Sequence, residues 1–431
     1  MVLSIFQRYL LTEYYAVSLA KFSVYLVYIE KGCAVMIVRS HYIDQMRPFF
    51  ESDLIKVITG IRRCGKSVIM SQIAAEYKSA GKPVLFINFE SFEFSSSIPD
   101  AETLVAYVKE RLSETEKLYV FLDEVQLVKD WNIACRSLRL ENLSLFITGS
   151  NSKLLSKEFT KELSGRYVSF CIRPFVYKEA TEYAAQLGKT YTISDYLVYG
   201  GFPKVIELPE KESITQYLND LNQTIIINDI INRYRIRKTE LFTRLVNYVL
   251  ISNSRIFSAN SVQHYLASEK LNCSINTVMK YLSYLEEAFV IRKIPQYSTR
   301  SKRELAFFAK IYDEDVSFNT IRQRNGRLDL THNLENIVFN ELVYMGYDVS
   351  VFTKGDKEID FLAIKDGKEY LVQVAYSIAE ESTYNREFAL FNTLDHSRKK
   401  IIITNDDIDY STSTVEHISL SRFLSMSSLD A

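Results

Sequence analysis

Paired cysteines are missing from this chain. Cys33, Cys64, Cys135, Cys171 and Cys273 stand far apart with no CxxC element, which argues against a zinc ribbon or a disulfide framework and fits a reducing cytoplasm. The five histidines are scattered too, so no His/Cys metal cluster is expected. An excess of either charge is also absent: 52 Lys plus Arg face 53 Asp plus Glu, and any basic surface for nucleic acid must be local. Long apolar runs are absent as well. Residues 1–35 are rich in Tyr, Leu and Val, but Glu13, Lys21, Glu30 and Lys31 interrupt every run well short of the roughly 18 residues of a membrane span. No signal-peptide cleavage pattern follows a single apolar stretch. The segment reads as an N-terminal extension, with Met36 as the better start, or as an amphipathic helix packed on the body. The remaining composition, 47% hydrophobic and 24% charged over 431 residues, is that of a soluble globular protein of two to four domains without a membrane partner.

One dense signal stands out. "LIKVITG" is an apolar, β-branched run that reads as a buried strand, and "GIRRCGKS" follows at once. Gly60, Gly65, Lys66 and Ser67 fall at the spacing of a phosphate-binding loop, and "VIMSQIAAEY" continues as a helix. Glycines let backbone N–H groups wrap phosphates, and the helix N-terminus adds a favourable field. Lys66 would reach the β and γ phosphates of ATP, and Ser67 would bind Mg²⁺. "KLYVFLDEVQ" reads as a second buried strand ending in Asp123 and Glu124. There Asp123 would order the metal's water shell and Glu124 would polarise an attacking water.

"LSLFITGSNSKLL" is a further strand ending in small polar residues. Ser150 or Asn151 is placed to sense a γ-phosphate, or else caps a following helix. "ELSGRYVSFCIRPF" puts Arg166 behind Gly165. An arginine there either stabilises transition-state charge in a neighbouring subunit of a homo-oligomer or is a solvated structural residue.

"GIRRCGKS", "FLDEVQ", "ITGSNSKLL", "LSGR" and "YGGFP", in this order, resemble the AAA-type ATPases of bacteria and archaea that carry a C-terminal domain of unknown function. The resemblance covers about residues 36–410. The Arg62–Arg63 pair and "GGFP" at 200–203 are its most specific marks, and residues 1–35 lie outside it. It implies an α/β protein in which a P-loop core with a parallel sheet precedes a helical lid, a winged-helix segment and a restriction-endonuclease-like α/β domain. It also implies ATP binding and hydrolysis, and supplies no substrate.

The expected organisation is an extension over 1–35, an AAA-type core over 36–175 and a helical lid or linker over 176–255. A winged-helix module over 256–325 and a nuclease-like domain over 326–431 follow. The run "LNDLNQTIIINDIINRYRIRK" is long and helical in pattern, and carries Arg233, Arg235, Arg237 and Lys238; one of these would serve as a lid arginine, or they mark a solvated helix end. "SANSVQHYLASEKL" and "SINTVMKYLSYLEEA" read as two helices, the second capped by Ser274 with Val278, Tyr281, Leu282 and Leu285 inward. "FVIRKIPQ" and "ELAFFAKIYD" would form a wing joined by "YSTRSKR", whose Arg300, Lys302 and Arg303 are candidate phosphate contacts on duplex DNA. Against DNA, the second helix offers only Asn276, Thr277 and Lys280 and ends in Glu286–Glu287; a protein partner is the rival.

The last segment runs helix, strand, strand, strand. Its helix carries Glu335 and Glu341, with Asn336 and Asn340 beside them, and its strands present Asp360 and then Gln373. This resembles the PD-(D/E)XK nuclease core, which implies acidic side chains holding Mg²⁺ and a lysine assisting water. Here the last element is Gln373-Val374-Ala375: an amide replaces a carboxylate, and alanine replaces lysine. Mg²⁺ sites of this type lean on carboxylates, so a retained fold with lost catalysis is expected. The leading reading is a cytoplasmic ATPase whose nucleotide state moves a winged-helix and nuclease-like module, with candidate DNA association. Its rivals are an ATP-regulated, metal-dependent nuclease and a non-hydrolysing, nucleotide-gated interaction protein.

Overall fold

The computed structural model describes residues 36–149, 165–298, 309–323, 328–354, 357–392, 394 and 398–430. Ser150, Asn151, Arg300, Lys302 and Arg303, and the 1–35 extension, lie outside them. The chain divides into two compact units, Met1–Arg173 and Pro174–Ala431.

The first unit is built on five parallel strands: β1 (Ile55–Thr59), β2 (Val84–Asn88), β3 (Leu118–Asp123), β4 (Leu143–Thr148) and β5 (Tyr167–Cys171), in the order β2-β3-β4-β1-β5. β1, β3 and β4 are buried along their whole length. They read as mostly apolar runs, as expected of a parallel sheet covered on both faces, with Lys56 and Ser144 buried among them and hydrogen-bonded to each other. Helix α1 (Lys66–Ser79) follows β1; α2 (Ala101–Lys109) and α3 (Trp131–Leu138) pack Leu104, Val108, Trp131, Ala134 and Leu138 into the same core as Val57, Val120 and Leu145. Asp100 starts α2 by accepting from Thr103 N–H at 3.0 Å, while Thr103 Oγ1 answers the Asp100 N–H at 3.3 Å, a reciprocal cap. Phe121 and Phe146 stack across neighbouring strands with centroids 4.6 Å apart, a contact worth about 0.5–1.5 kcal/mol beyond burial.

The second unit opens with helices α4 (Tyr177–Gln186), α5 (Ile193–Tyr199), α6 (Lys211–Thr224) and α7 (Thr239–Ile251). The run expected as one long helix is wider than α over Ile225–Asn232, where it forms a π-helix burying Ile225, Ile226, Asp229 and Ile230. The "GGFP" turn has a packing reason. Gly201 N–H donates to Asp315 Oδ2 at 2.7 Å, and a Cβ on Gly201 would fall 1.9 Å from the Phe175 carbonyl oxygen. Pro203 then starts a short helix.

Helices α8 (Ala259–Ser268) and α9 (Ile275–Glu287) come next. Ser274 Oγ accepts from Thr277 N–H at 3.2 Å, and Val278, Tyr281, Leu282 and Leu285 are the buried side of α9, as the periodicity predicts. The remaining strands are β6 (Ile256–Phe257), β7 (Ile291–Ser298), β8 (Ala309–Asp313), β9 (Asp348–Lys354), β10 (Lys357–Lys365), β11 (Lys368–Val374), β12 (Lys399–Thr404) and β13 (Glu416–Ser419). They form a single mixed sheet in the order β13-β12-β11-β10-β9-β7-β8-β6. The β7–β8 hairpin is not a separate sheet: β7 pairs in parallel with β9, Gln296 opposite Val351. Helices α10 (Leu330–Tyr344) and α11 (Glu381–Phe391) belong to this half of the unit. No helix among the described residues is long and apolar enough to cross a membrane.

Candidate functional site

The strand order explains why distant sequence segments meet. β4 lies between β1 and β3, so Thr148 at its end stands between the loop that leaves β1 and the acidic end of β3. In that loop Gly60 has φ +138°, and a Cβ there would fall 2.0 Å from the Ile172 carbonyl oxygen. Only glycine permits so close an approach. Gly65, also left-handed at φ +100°, immediately precedes α1. Lys66 is the first residue of α1 and is 5% exposed. Its ammonium donates to the carbonyls of Gly60 at 3.1 Å and Ile61 at 3.0 Å, and so lies across the loop that a phosphate chain would fill.

Ser67 Oγ donates to Asp123 Oδ1 at 3.1 Å. Thr148 Oγ1 donates to the same carboxylate oxygen and accepts from Glu124 N–H at 3.0 Å. Burial holds the Asp123 carboxyl above the usual carboxylate range, against the hydrogen bonds from Thr148 and Ser67 and the charge of Lys66. Glu124 follows with φ +55°, a left-handed backbone uncommon for a residue with a side chain. Its carboxylate accepts from Gln126 Nε2. The donor set of Ser67 and Asp123 beside a helix N-terminus and a lysine fits Mg²⁺ held with a nucleotide phosphate tail.

Sequence reasoning missed three residues here. Thr148 is legible only as the last residue of a strand, and its meaning depends on β4 lying between β1 and β3. Gln126 carries no motif weight of its own. Arg39 precedes the whole pattern, is 2% exposed, and donates to the carbonyls of Cys64 at 3.0 Å and Arg173 at 2.9 Å, bracing the loop from outside. Arg166 lies elsewhere: its carbonyl accepts from Ile55 N–H at 3.0 Å, at the opposite end of β1 from Lys66. Within one chain it does not join the cluster.

In the second unit the structure brings Glu335 (α10), Asp360 (β10) and Gln373 (β11) together. Gln373 Oε1 accepts from Asp360 N–H at 3.2 Å, and Asp360 Oδ2 accepts from Val374 N–H at 3.0 Å. Gln373 Nε2 donates to Glu387 Oε2 on α11 at 3.0 Å. The centre of the group is Lys310 on β8, whose ammonium lies 2.8 Å from Glu335 Oε1, 2.9 Å from Asp360 Oδ1 and 3.1 Å from Glu358 Oε1. Tyr312 Oη donates to Glu335 Oε1 at 2.7 Å. Three carboxylates hold the ammonium above its ordinary range despite burial, while burial and the Asp360 charge raise Glu335 and the Lys310 ammonium pulls it back toward the ionised form. Glu358 was legible two residues before Asp360, on the same strand face; Lys310 and Glu387 were not. Glu341, Asn336 and Asn340 point to other work. Glu341 accepts from Tyr177 N–H at 3.1 Å. Asn336 pairs with the Asp313 backbone at 2.8 and 2.9 Å, and Asn340 donates to the Glu314 carbonyl at 3.2 Å.

The glycine loop, the lysine at a helix start and the serine–aspartate pair at the carboxyl ends of parallel strands define an AAA-type P-loop core. Residues 52–181 match the model of an AAA domain, and residues 190–322 match a domain of unknown function (DUF8612). The chain is 36% identical over 384 residues to an uncharacterized protein of Haemophilus influenzae, covering 86% of this chain and 93% of that one. It is 27% identical over 377 residues to an uncharacterized protein of Methanocaldococcus jannaschii, covering 82% of each. The chain belongs to the family of the Haemophilus protein. Among solved structures, a Walker-type ATPase of Pyrococcus abyssi is similar at 15% identity and a TM-score of 0.45, over 67% of this chain and 96% of that one.

Proposed function

We propose that this protein is an ATPase that passes its nucleotide state to its C-terminal unit. The observation that carries the reading is the single cluster of Lys66, Ser67, Asp123 and Thr148 at the end of the parallel sheet. Gly60, Gly65 and the first turn of α1 would cradle the phosphates of ATP. Lys66 would swing from the Gly60 and Ile61 carbonyls to the phosphate tail, and Ser67 and Asp123 would hold Mg²⁺, which screens the phosphate charge when bound. Glu124 would accept the proton of the attacking water. Ser150 or Asn151 would sense the γ-phosphate, and Arg166 would act in the site of a second copy of the chain.

We read α8, α9 and the β7–β8 hairpin as a winged-helix module over about 256–325, after a helical lid over 176–255 and before a nuclease-like domain over 326–431. Arg300, Lys302 and Arg303 are its candidate contacts to duplex DNA. Nothing in this assignment requires cleavage. We read a cytoplasmic location from the wide spacing of the cysteines, which form no CxxC element.

A second reading, nucleotide gating without turnover, draws on one observation: Gln126 already engages the Glu124 carboxylate. Phosphate release from ATP by the wild type, compared with Glu124→Gln, separates the two. Turnover lost in the variant with nucleotide binding retained supports the ATPase. Binding with no turnover by the wild type supports gating. No binding at all refutes both. Duplex DNA binding, measured against salt, should lose slope by about 0.9 per phosphate contact removed when Arg300, Lys302 and Arg303 become alanine; an unchanged slope moves the contact elsewhere.

A further inference from the structure

The nuclease-like resemblance implies a divalent metal among Glu335, Asp360 and the residue at 373, and the structure does not fit one. Lys310 is 5% exposed, Glu335 and Asp360 are 8% exposed, and the ammonium sits among the carboxylates at 2.8–3.1 Å. An ammonium has three N–H donors, and three carboxylates receive them. The carboxylate oxygens that face the centre of the cluster already accept hydrogen bonds. Asp360 Oδ1 faces Lys310 and Oδ2 takes Val374 N–H. Glu335 Oε1 takes both Lys310 and Tyr312 Oη. At the third position, Gln373 spends its carbonyl on Asp360 N–H and its amide on Glu387. Among the described residues no group of three or more His, Cys, Asp or Glu side chains is arranged to hold a metal ion.

We propose that the Lys310 ammonium is the resident cation of this acidic cluster, standing in place of a divalent metal and pinning β8 to β10 and α10. The logic is electrostatic. Buried carboxylates brought together repel one another and demand a counter-charge. A nuclease-type site meets that demand with a metal that can also activate water. Here a side chain meets it, tethered to the neighbouring strand hairpin and with every N–H committed. Such a lysine has no donor left for a phosphate or an attacking water, so the arrangement holds the fold together and carries no hydrolytic chemistry.

The test uses the full chain, freed of metal with a chelator and without nucleotide. Wild type, Lys310→Met, Asp360→Asn and the double variant are melted with and without Mn²⁺, and Mn²⁺ uptake is followed by electron paramagnetic resonance. Mn²⁺ is the lenient probe because it accepts less ideal oxygen sites than Mg²⁺. Wild type should show no uptake that depends on Asp360. Lys310→Met should melt lower by about 5 °C or more without metal, and should recover with Mn²⁺ through an uptake that the double variant loses. Uptake by the wild type that Asp360→Asn abolishes overturns the proposal, as does plasmid cleavage with the same dependence. So does a Lys310→Met protein that melts like wild type or takes up no Mn²⁺. Should Lys310→Met fail to fold, Asp360→Asn and Glu335→Gln decide. Each leaves Lys310 short of a charged partner and should lower the metal-free melting temperature; unchanged melting refutes the idea.

Discussion

Ser67 Oγ hydrogen-bonds Asp123 Oδ1 at 3.1 Å, tying the first turn of α1 to the last residue of β3. Since burial raises the Asp123 carboxyl above the usual carboxylate range, its proton is retained to higher pH than an exposed aspartate would keep it. A metal shell needs the ionised form. Nucleotide affinity in the presence of Mg²⁺ should therefore fall on acidification sooner than free-nucleotide protonation alone predicts. Ser67→Ala, which removes a bond that favours the ionised form, should move that fall to higher pH. Titration of a fluorescent ATP analogue across pH 5 to 8 checks both.

Lys66→Ala should abolish measurable turnover, a loss of at least about a hundredfold, because the ammonium is the mobile charge at the loop. Glu124→Gln should keep binding and lose turnover by about 10²–10⁴-fold. Single-turnover hydrolysis and equilibrium binding, run on the same preparations, separate the two losses. Unchanged turnover in Lys66→Ala would remove the site assignment.

Thr148→Val deletes one hydroxyl that serves two partners, the Asp123 carboxylate and the Glu124 N–H. The buried groups left unpaired should cost about 1–3 kcal/mol of stability, read from urea denaturation. Thr148→Ser keeps the hydroxyl and should recover most of it.

Gly201→Ala tests the turn. The added methyl would sit 1.9 Å from the Phe175 carbonyl oxygen, and backbone on both sides must move. A loss of about 1–3 kcal/mol is expected, with nucleotide binding by the first unit unaffected.

Lys56 offers a pH test independent of any ligand. It is fully buried in β1, donates to Ser144 Oγ at 2.8 Å and to the Ser52 carbonyl at 3.2 Å, and burial lowers it to about 7. An unfolded lysine titrates near 10.4. Between these values the unfolded chain binds more protons, so stability rises with pH from about 7 toward 10. Lys56→Met should flatten that rise and raise the melting temperature at neutral pH. A profile identical to wild type would show that Lys56 stays charged in the fold.

The sequence alone determined the P-loop. Its residues are contiguous, and each obeys a local rule: an apolar strand, glycines where backbone must approach phosphate, then a helix start at Lys66. The capping of α9 by Ser274 and the burial of its Val278–Leu285 face were legible for the same reason, since both are set within a few residues. Asp360 and Glu335 were legible as acidic positions on a strand and a helix. Tertiary structure alone decided what surrounds them. Thr148 matters because β4 lies between β1 and β3, which is a fact of strand order. Lys310 matters because the β7–β8 hairpin joins the sheet that carries Asp360, bringing residues 50 apart in sequence into one ion cluster. The missing lysine two residues after Gln373 was visible in the sequence, whereas the Lys310 ammonium that we propose stands in place of the metal was not. Charge compensation acts through space, and no periodicity records which distant strand will supply it.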